Sequence, residues 1–402
     1  MEAITAIQPP RTAPLEIDGQ RIEADSPDFH EAVAYAYRHQ RRPRCLCRPE
    51  GVEMYISRLG NGYVVKRMPE TGSLHAPSCP SFEPAVTTSG LEPLLGTAII
   101  EDPNCGATTL RLDFALSMQP GRPAPPRLAS RGGAVRNQGT RLTLRSLLHY
   151  LWDQAGLTRW QPGFEGRRHW NTVRRLLLQA AEQKIACGAS LTSRLYVPER
   201  FSPELREQIA ERRRLMWASA TRRLDRPQQL LLMVGEVKEI VPGRHGYRAV
   251  VKHIPDLGFA LDEALYRRIE GRFADELALW NASDEIRMIM IAAFGLNEAG
   301  LPHLAGLFLM TTTQQWLPIE GVPEWQLVNR LVSRQRSFTK LLRYDLRDDT
   351  KMACVALTDA GDPVPLLFAD TDESQESSNE MASGCGPLAT RAEVDKPLHL
   401  SP

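Results

Sequence analysis

Three cysteines and one histidine lie within 35 residues and constrain the fold of this chain more than any other feature. The order is Cys45-x-Cys47, then 27 residues, then His75-x3-Cys79. A structural zinc ion takes four tetrahedral ligands, and Cys3His is a known set, so the pattern predicts zinc. The intervening segment must then fold back on itself. Its MYISRL and YVVKRM runs flank a Gly-Asn-Gly turn, which predicts a hairpin that brings the two pairs together.

The spacing leaves two other interpretations open. Cys-x-Cys is tighter than the usual zinc-finger pair, so these could be ordinary cysteines of a small β domain, or a redox or other-metal site. His39 and Cys105 are substitute ligands. Four protein ligands leave no position for water, so we expect a structural rather than a catalytic zinc. Nearby arginines are expected to stabilise the metal-binding thiolates: Arg41, Arg42, Arg44 and Arg48.

Length and composition predict a soluble protein of two or three domains. The chain has 402 residues, of which 42% are hydrophobic and 24% charged, and this excludes wholesale disorder or a coiled coil. No apolar run reaches the ~18 residues of a membrane span, and no secretory signal is visible at the N-terminus. Seven cysteines are too few for a disulfide scaffold, so we expect a cytoplasmic, reduced chain.

Changes in periodicity predict a multi-domain α+β organisation. Residues 1–117 read as the zinc-bound α+β module, and 118–139, rich in Pro, Gly and Arg, as a linker. Residues 140–227 carry apolar stripes at helical spacing and form a basic helical segment. Residues 228–370 mix strand and helix patterns in a further α+β domain, and the acidic, Ser-rich tail 371–402 is expected to be disordered.

Charge is distributed unevenly although the net charge is only +1. Residues 105–227 contain 22 basic and 9 acidic side chains, a net of +13. Such a segment is a candidate polyanion footprint, and we expect the partner to be double-stranded DNA. The alternative is a solvated basic face without a ligand. The candidate DNA-binding arginines are Arg167, Arg168, Arg174, Arg175, Arg212, Arg213 and Arg214.

Several residues near these arginines are expected to have structural roles. Trp152, Trp160 and Trp170 fit helix cores, although stacking on a nucleic acid is the alternative. His149 is expected on the polar face of its helix, in solvent. Arg212 falls within the apolar stripe of the third helix of this segment, which makes that face imperfect.

Residues 353–368 read as a hairpin and raise the question of a restriction-endonuclease-like site. Such nucleases hold Mg²⁺ between carboxylates on adjacent strands, with a lysine near the attacking water. Here Cys354 and Leu367 stand where the acidic pair is expected, while Asp359 and Asp362 lie in the turn. The sequence therefore predicts a structural hairpin without a catalytic site, and an active nuclease remains the alternative.

The chain resembles the bacterial family catalogued as domain of unknown function 1173. The resemblance rests on the three N-terminal cysteines and on LLHYLWDQAGLTRW, HWNTVRRLLLQAA and SFTKLLRYDLRDD, and it covers about residues 15–370. Members are commonly carried on plasmids and integrative conjugative elements, which implies handling of mobile DNA. We therefore expect a zinc-binding, nucleic-acid-binding accessory protein of mobile elements. The alternatives are a degenerate or active nuclease and a protein-interaction scaffold; we assign no catalytic residue.

Overall fold

The computed structural model describes residues 13–59, 62–102, 106–118, 140–221, 227–243 and 246–369. The predicted acidic tail, almost all of the predicted linker and the substitute ligand Cys105 lie outside these ranges. The described part is a mixed α+β structure with seven α-helices. They are α1 (Phe29–Arg38), α2 (Leu144–Gln154), α3 (Trp170–Ala181), α4 (Arg206–Trp217), α5 (Glu263–Arg272), α6 (Ala274–Ala282) and α7 (Val322–Ser333).

The strands of the described residues form five sheets. In chain order they are β1 (Leu15–Ile17), β2 (Gln20–Ile22), β3 (Arg44–Cys45), β4 (Val52–Leu59), β5 (Gly62–Arg67), β6 (Ile99–Glu101), β7 (Thr108–Leu110), β8 (Ser117–Met118), β9 (Arg159–Trp160), β10 (Lys184–Ala186), β11 (Ala189–Ser190), β12 (Leu195–Tyr196), β13 (Gln228–Gln229), β14 (Leu231–Gly243), β15 (Gly246–Val251), β16 (Gly258–Leu261), β17 (Arg287–Leu296), β18 (Pro302–Thr312), β19 (Pro318–Ile319), β20 (Phe338–Lys340), β21 (Val355–Leu357) and β22 (Leu366–Leu367).

The N-terminal sheet has the order β2-β1-β3-β4-β5 and is covered by α1. The Asp18-Gly19 pair within LEIDGQRIEA predicts a hairpin, and the β1–β2 pairing confirms it. Asp18 and Gly19 have φ values of 50° and 77°, the left-handed conformation that a tight two-residue hairpin turn requires. Helix α1 buries Val33 and Ala36 against β4 and β5, as its spacing predicts. The β4–β5 hairpin also forms and spans most of the interval between the two Cys/His pairs.

Five strands between residues 231 and 312 close into a barrel. Around it the order is β14-β15-β16-β18-β17, and β17 pairs back with β14. The β16–β18 pairing is parallel, the other four are antiparallel, and α5 and α6 lie between the third and fourth strands in chain order. This order, with a long first strand shared between two neighbours, is that of an OB-fold barrel.

Strand β17 shows why the apolar pattern of this region does not alternate. Met288, Met290 and Phe294 point into the barrel, whereas Ile289 and Ile291 face the other way into a core built with α2 and α3. Because both faces are buried, the strand reads as a continuous apolar run. The barrel is thereby fused to the helical layer.

Apolar residues spaced by four from Leu261 to Leu277 predict one continuous helix over residues 261–280, but the structure has two helices there. Helix α5 ends at Arg272 and α6 begins at Ala274. Phe273 separates them with φ −114° and ψ 29°, outside the α-helical region, and its side chain is buried in the barrel core. The regular apolar spacing did not reveal this break, because Leu265, Ile269 and Phe273 lie on one face in either arrangement.

Several sheets join parts of the chain that are far apart in sequence. Strand β7 pairs in parallel with β10, β8 pairs with β13, and β9 pairs with β20. The segment 140–221 therefore contains short strands as well as the three helices its periodicity predicts. The proposed domain boundaries at 117, 139 and 227 stay a prediction.

Candidate metal centre and nucleic-acid interface

The four predicted ligand residues come together in the N-terminal module. One ligand atom from each of Cys45, Cys47, His75 and Cys79 lies within 4.8 Å of all the others. The Sγ atoms of Cys45 and Cys79 are 3.8 Å apart, and His75 Nδ1 is 3.3 Å from Cys47 Sγ and 3.7 Å from Cys79 Sγ. The substitute ligand His39 is exposed and its Nδ1 contacts the Tyr35 carbonyl, so it is not part of the cluster.

These separations fit a tetrahedral ion. With Zn–S near 2.3 Å and Zn–N near 2.0 Å, tetrahedral edges are about 3.8 Å for two sulfurs and about 3.5 Å for sulfur and nitrogen. Cys45, His75 and Cys79 are buried and Cys47 is half-buried, so the cluster is largely shielded from water. One feature differs from most metal sites. His75 Nε2 is buried without a hydrogen-bond partner among the described residues, whereas a metal-bound histidine usually donates a hydrogen bond from the ring nitrogen that does not bind the metal.

Local structure holds the ligands in place. Cys45 ends β3, and β3 is paired on both sides, with β1 and β4. The second pair lies in a turn in which the Cys79 N–H donates to the Ala76 carbonyl at 2.8 Å. Backbone N–H groups also point at the sulfurs, from Ala76 to Cys47 Sγ and from Ser81 to Cys79 Sγ, each at 3.4 Å.

The cluster favours deprotonation of one thiol. A hydrogen bond from the Cys45 thiol lowers the pKa of Cys79 to about 4, and contacts with His75 and the Ser81 N–H act in the same direction against burial. Conversely, sharing its proton with Cys79 raises the pKa of Cys45. A bound divalent ion would favour thiolates at all three cysteines, since thiolate is the form that coordinates metal.

Of the four arginines expected to stabilise the thiolates, Arg48 contacts the loop that carries the second ligand pair. Its Nε donates to the Leu74 carbonyl at 2.9 Å and its Nη2 to the His75 carbonyl at 3.4 Å. The other three have partners elsewhere, so that expectation is wrong for them. Arg41 pairs with Asp18, Arg42 with Glu53, and Arg44 with the backbone carbonyl of Glu50.

The Arg212–Arg214 run, predicted to contact DNA, forms ion pairs within the protein. Arg212 makes two hydrogen bonds to Glu199, at 2.9 and 2.7 Å, and Arg214 does the same with Glu211 on its own helix. Arg213 is buried, binds Asp256 and stacks on Trp217. The buried face of α4 is therefore Ile209, Arg213 and Trp217, and the expectation that Arg212 interrupts this stripe is wrong.

The other candidate DNA-binding arginines, Arg167, Arg168, Arg174 and Arg175, differ in exposure. Arg168 is structural, whereas the other three are at least partly accessible. Arg168 donates to the carbonyls of Gly156, Leu157, Arg159 and Gln315, and burial lowers its pKa to about 9. Arg167 and Arg175 are exposed. Arg174 is half-buried; its Nε donates to the Val197 carbonyl, and its side chain lines an open cleft.

Two open clefts meet at Phe201. The first, which we call the α3 cleft, has a volume of ≈ 590 Å³ and is lined by Arg174 and Arg200, among others. The second, the barrel cleft, has a volume of ≈ 450 Å³. It follows the end of β14, strand β15 and the start of β16, and its basic lining residues are Lys238, Arg248, Lys252 and His253. The sequence does not predict that the two clefts adjoin, because their basic residues come from separate segments of the chain.

His149 and the three tryptophans lie in the core. The prediction of a solvated His149 is wrong: its side chain is 3% exposed, and its Nδ1 accepts the Tyr344 N–H at 3.0 Å. Burial lowers the pKa of His149 to about 3. Trp152, Trp160 and Trp170 are buried, which confirms the core interpretation.

The C-terminal hairpin forms as predicted, with Val355 paired to Leu367. Its two turn carboxylates have different partners. Asp359 accepts two hydrogen bonds from Arg336, whereas Asp362 accepts one from Arg48. The structure brings no carboxylate pair together at the strand positions of this hairpin, since those positions hold Cys354 and Leu367.

The fold and the cluster together define a mixed α+β protein with a candidate Cys3His metal centre. The family model described as "Protein of unknown function (DUF1173)" matches residues 15–392, and the chain belongs to this family. No curated protein and no solved structure matches the chain. Within the described ranges, no helix has both the length and the hydropathy that crossing a membrane requires.

Proposed function

We propose that this protein is a zinc-stabilised nucleic-acid-binding protein whose interface runs along the barrel cleft and the α3 cleft. The OB-type strand order carries this proposal, because barrels of this kind bind oligonucleotides on the face of their second and third strands. In this chain those strands are β15 and β16, and the barrel cleft lies on them. The fold alone does not define the ligand, and the side chains of that face determine what it can bind.

The outer face of β15 and β16 combines a cation with small residues. Arg248 lies opposite Ala260, and its side chain runs over Gly258. A Cβ added at Gly258 would lie 3.0 Å from Arg248 Cδ, so glycine leaves the arginine room to lie along the sheet. A backbone phosphate could approach this surface closely and pair with the exposed guanidinium.

Two of the four acidic residues that line the clefts are neutralised by arginines of the protein itself. Glu199 lines the α3 cleft and is paired with Arg212, while Asp256 lines the barrel cleft and is paired with Arg213. The arginine run of α4 therefore supports the interface indirectly, by cancelling negative charge at its edge. Arg200 and Arg248 are exposed and have no ion-pair partner within the described ranges, which leaves them available to phosphates.

The form of nucleic acid follows from the same features. A curved barrel face with an aromatic ring between two clefts suits a flexible strand, whose bases can stack on a side chain such as Phe201. We therefore propose that single-stranded DNA is preferred over the duplex expected from charge alone. The proposed accessory role in the handling of mobile DNA rests only on the family resemblance. In this account zinc holds the N-terminal module and takes no part in chemistry.

The test is fluorescence anisotropy with one labelled oligonucleotide, single-stranded or annealed to its complement, across a salt series. Wild-type protein is expected to bind the single strand more tightly, with an affinity that falls steeply with salt. Replacing both Arg200 and Arg248 by Ala should weaken binding and lower the salt slope for the single strand by about 1.4, roughly 0.7 for each lost phosphate contact. The matched control is Arg267→Ala, an exposed arginine paired with Glu263 on α5, away from both clefts.

Two results would count against this assignment. Equal binding by wild-type and the double variant would show that the nucleic acid does not bind at these clefts. Absence of binding to either form of DNA at low salt would favour the scaffold alternative, in which the positive segment is a solvated face.

A further inference from the structure

A second, smaller cavity lies between the N-terminal module and α2. Its volume is ≈ 180 Å³, and it lies between the end of β5, the segment that leads into β6, and α2. Ser73 and Glu83, from the loop that carries the second pair of metal ligands, also line it, but none of the four ligands does. Its wall is mixed, with an apolar side and a polar side. The apolar side is formed by Leu91, Leu95 and Ile99, and the polar side by Arg67, Glu83, Glu101, Tyr150 and Gln154.

Two donors of the polar side have no partner within the described ranges. Tyr150 is 1% exposed, and its hydroxyl makes no hydrogen bond of normal geometry there, although the Thr108 hydroxyl lies close enough to lower the pKa of Tyr150 against the larger effect of burial. The neighbouring hydroxyl of Thr108 accepts a hydrogen bond from Lys184 at 3.0 Å. Arg67 pairs with Glu83 through Nη2, while its buried Nε–H is left without a partner. Buried donors of this kind are costly unless an acceptor reaches them.

Three carboxylates line the cavity, Glu70, Glu83 and Glu101, against one lining cation, Arg67. Two cations next to the lining, Arg159 and Lys184, bring the total charge close to balance. Glu101 is half-buried and lines the wall, and its charge opposes the effect of burial on Lys184, whose pKa is lowered to about 8. Arg67 and Arg159 both pair with Glu83. Such a site disfavours a ligand of large net charge but offers a carboxylate at one place and unpaired donors at another.

We propose that this cavity binds a small aliphatic α-amino acid. The carboxylate of the ligand would accept from the Tyr150 hydroxyl and Arg67 Nε, and its ammonium would face Glu101. Its side chain would lie against Leu91, Leu95 and Ile99. The size agrees, since a cavity of about 150 Å³ holds a ligand of six heavy atoms and valine has only slightly more. The inference is independent of the proposed nucleic-acid function.

The experiment is titration calorimetry and thermal unfolding of the full chain with L-valine. Two analogues dissect the ligand: 3-methylbutanoate lacks the ammonium and isobutylamine lacks the carboxylate. Valine is expected to bind and raise Tm, and each analogue should bind at least about tenfold more weakly, because one charged hydrogen-bonding group is lost. Tyr150→Phe should weaken valine binding about tenfold without lowering the Tm of the free protein, since the removed hydroxyl has no partner.

The matched control is Tyr344→Phe. This tyrosine is also buried, but its hydroxyl contacts Asp153 and it does not line the cavity. The control variant should lose stability and keep valine affinity, the opposite of Tyr150→Phe. No heat and no Tm shift with valine, equal valine affinity in Tyr150→Phe and wild-type, or a Tyr150→Phe protein that is destabilised without ligand would each overturn the proposal.

Discussion

Arg48 donates a hydrogen bond of 2.6 Å to the carboxylate of Asp362, 314 residues further along the chain. Arg48 also contacts the carbonyls of Leu74 and His75, so the loop with the second pair of metal ligands touches the C-terminal hairpin. A second contact joins the same loop to β9, since Arg159 donates to the Pro80 carbonyl and pairs with Glu83. The metal cluster therefore lies where three parts of the chain meet.

The first prediction is that the purified protein contains about one zinc ion per molecule, because four suitable ligands converge at tetrahedral separations. Cys79→Ser should lose the metal and destabilise the fold, since binding of structural zinc contributes directly to folding free energy. Elemental analysis and thermal unfolding measure both effects. The control is Cys187→Ser, which removes an exposed cysteine away from the cluster. Metal-free protein, prepared without chelator, would refute the assignment.

The second prediction concerns the buried ion pair of Lys340 and Glu324, whose side chains are 3% and 10% exposed and 3.2 Å apart. Lys340→Met should destabilise the protein by about 3–5 kcal/mol, because it leaves a buried carboxylate without its partner. Adding Glu324→Gln should recover much of this loss, since the amide is neutral and can still accept the Glu320 N–H. Urea unfolding of the three proteins gives the comparison. A double variant no more stable than Lys340→Met would contradict the explanation.

The third prediction is a pH dependence from His149. Its pKa is about 3 in the folded protein and ordinary, near 6.5, when unfolded, so the unfolded state binds more protons below pH 6.5. The free energy of unfolding should fall between pH 6.5 and 3, by at most about 1.4 kcal/mol per pH unit from this residue. Burial also raises the pKa of Asp153 to about 6, which acts in the opposite direction between pH 4 and 6.

The contribution of His149 to the pH dependence is the difference in free energy of unfolding between wild-type and His149→Gln at each pH. Glutamine can still accept the Tyr344 N–H but does not titrate. The variant should therefore lose less stability than wild-type as pH falls from 6.5. Parallel pH profiles of the two proteins would show that His149 does not remain neutral in the folded state.

The fourth prediction separates structural from binding arginines. Arg168 donates to four carbonyls and lies 4.9 Å from the Phe164 ring centre, so Arg168→Ala should cost about 3 kcal/mol of stability. Arg175→Ala, at an exposed position on α3, should leave the stability nearly unchanged. Thermal unfolding of both variants decides the point. Similar stability of the two would mean that the carbonyl contacts of Arg168 contribute little.

Local signals were sufficient to predict helices α1 to α3, the hairpins and the clustering of the four candidate metal ligands. The apolar spacing that placed α2 and α3, and the Asp18-Gly19 turn, depend on neighbours within a few residues. The Cys/His cluster was predictable for a similar reason: ligand chemistry restricts the residue types, and one hairpin connects the two pairs. Such features need no knowledge of distant contacts.

Long-range partners were not predictable. The barrel closes through the pairing of β14 with β17, and the sequence of either strand does not specify the other. Arg213 and Arg214 are adjacent arginines, yet one is buried against Asp256 and the other is exposed beside Glu211. His149 has a polar side chain but fits a core because Tyr344 supplies its hydrogen bond. In each case the deciding group lies far away in the chain.

The fifth prediction is that the protein does not cut DNA. Metal-assisted hydrolysis of a phosphodiester needs an ion held by carboxylates beside a positioned water. Asp359 is paired with Arg336 and Asp362 with Arg48, so each carboxylate is already occupied by a different arginine and the pair does not offer Mg²⁺ a shared oxygen site. Supercoiled plasmid should therefore stay intact with Mg²⁺ or Mn²⁺. Metal-dependent nicking that is lost in Asp359→Ala would restore the nuclease alternative, whereas nicking that persists in this variant would point to a contaminant or to a different site.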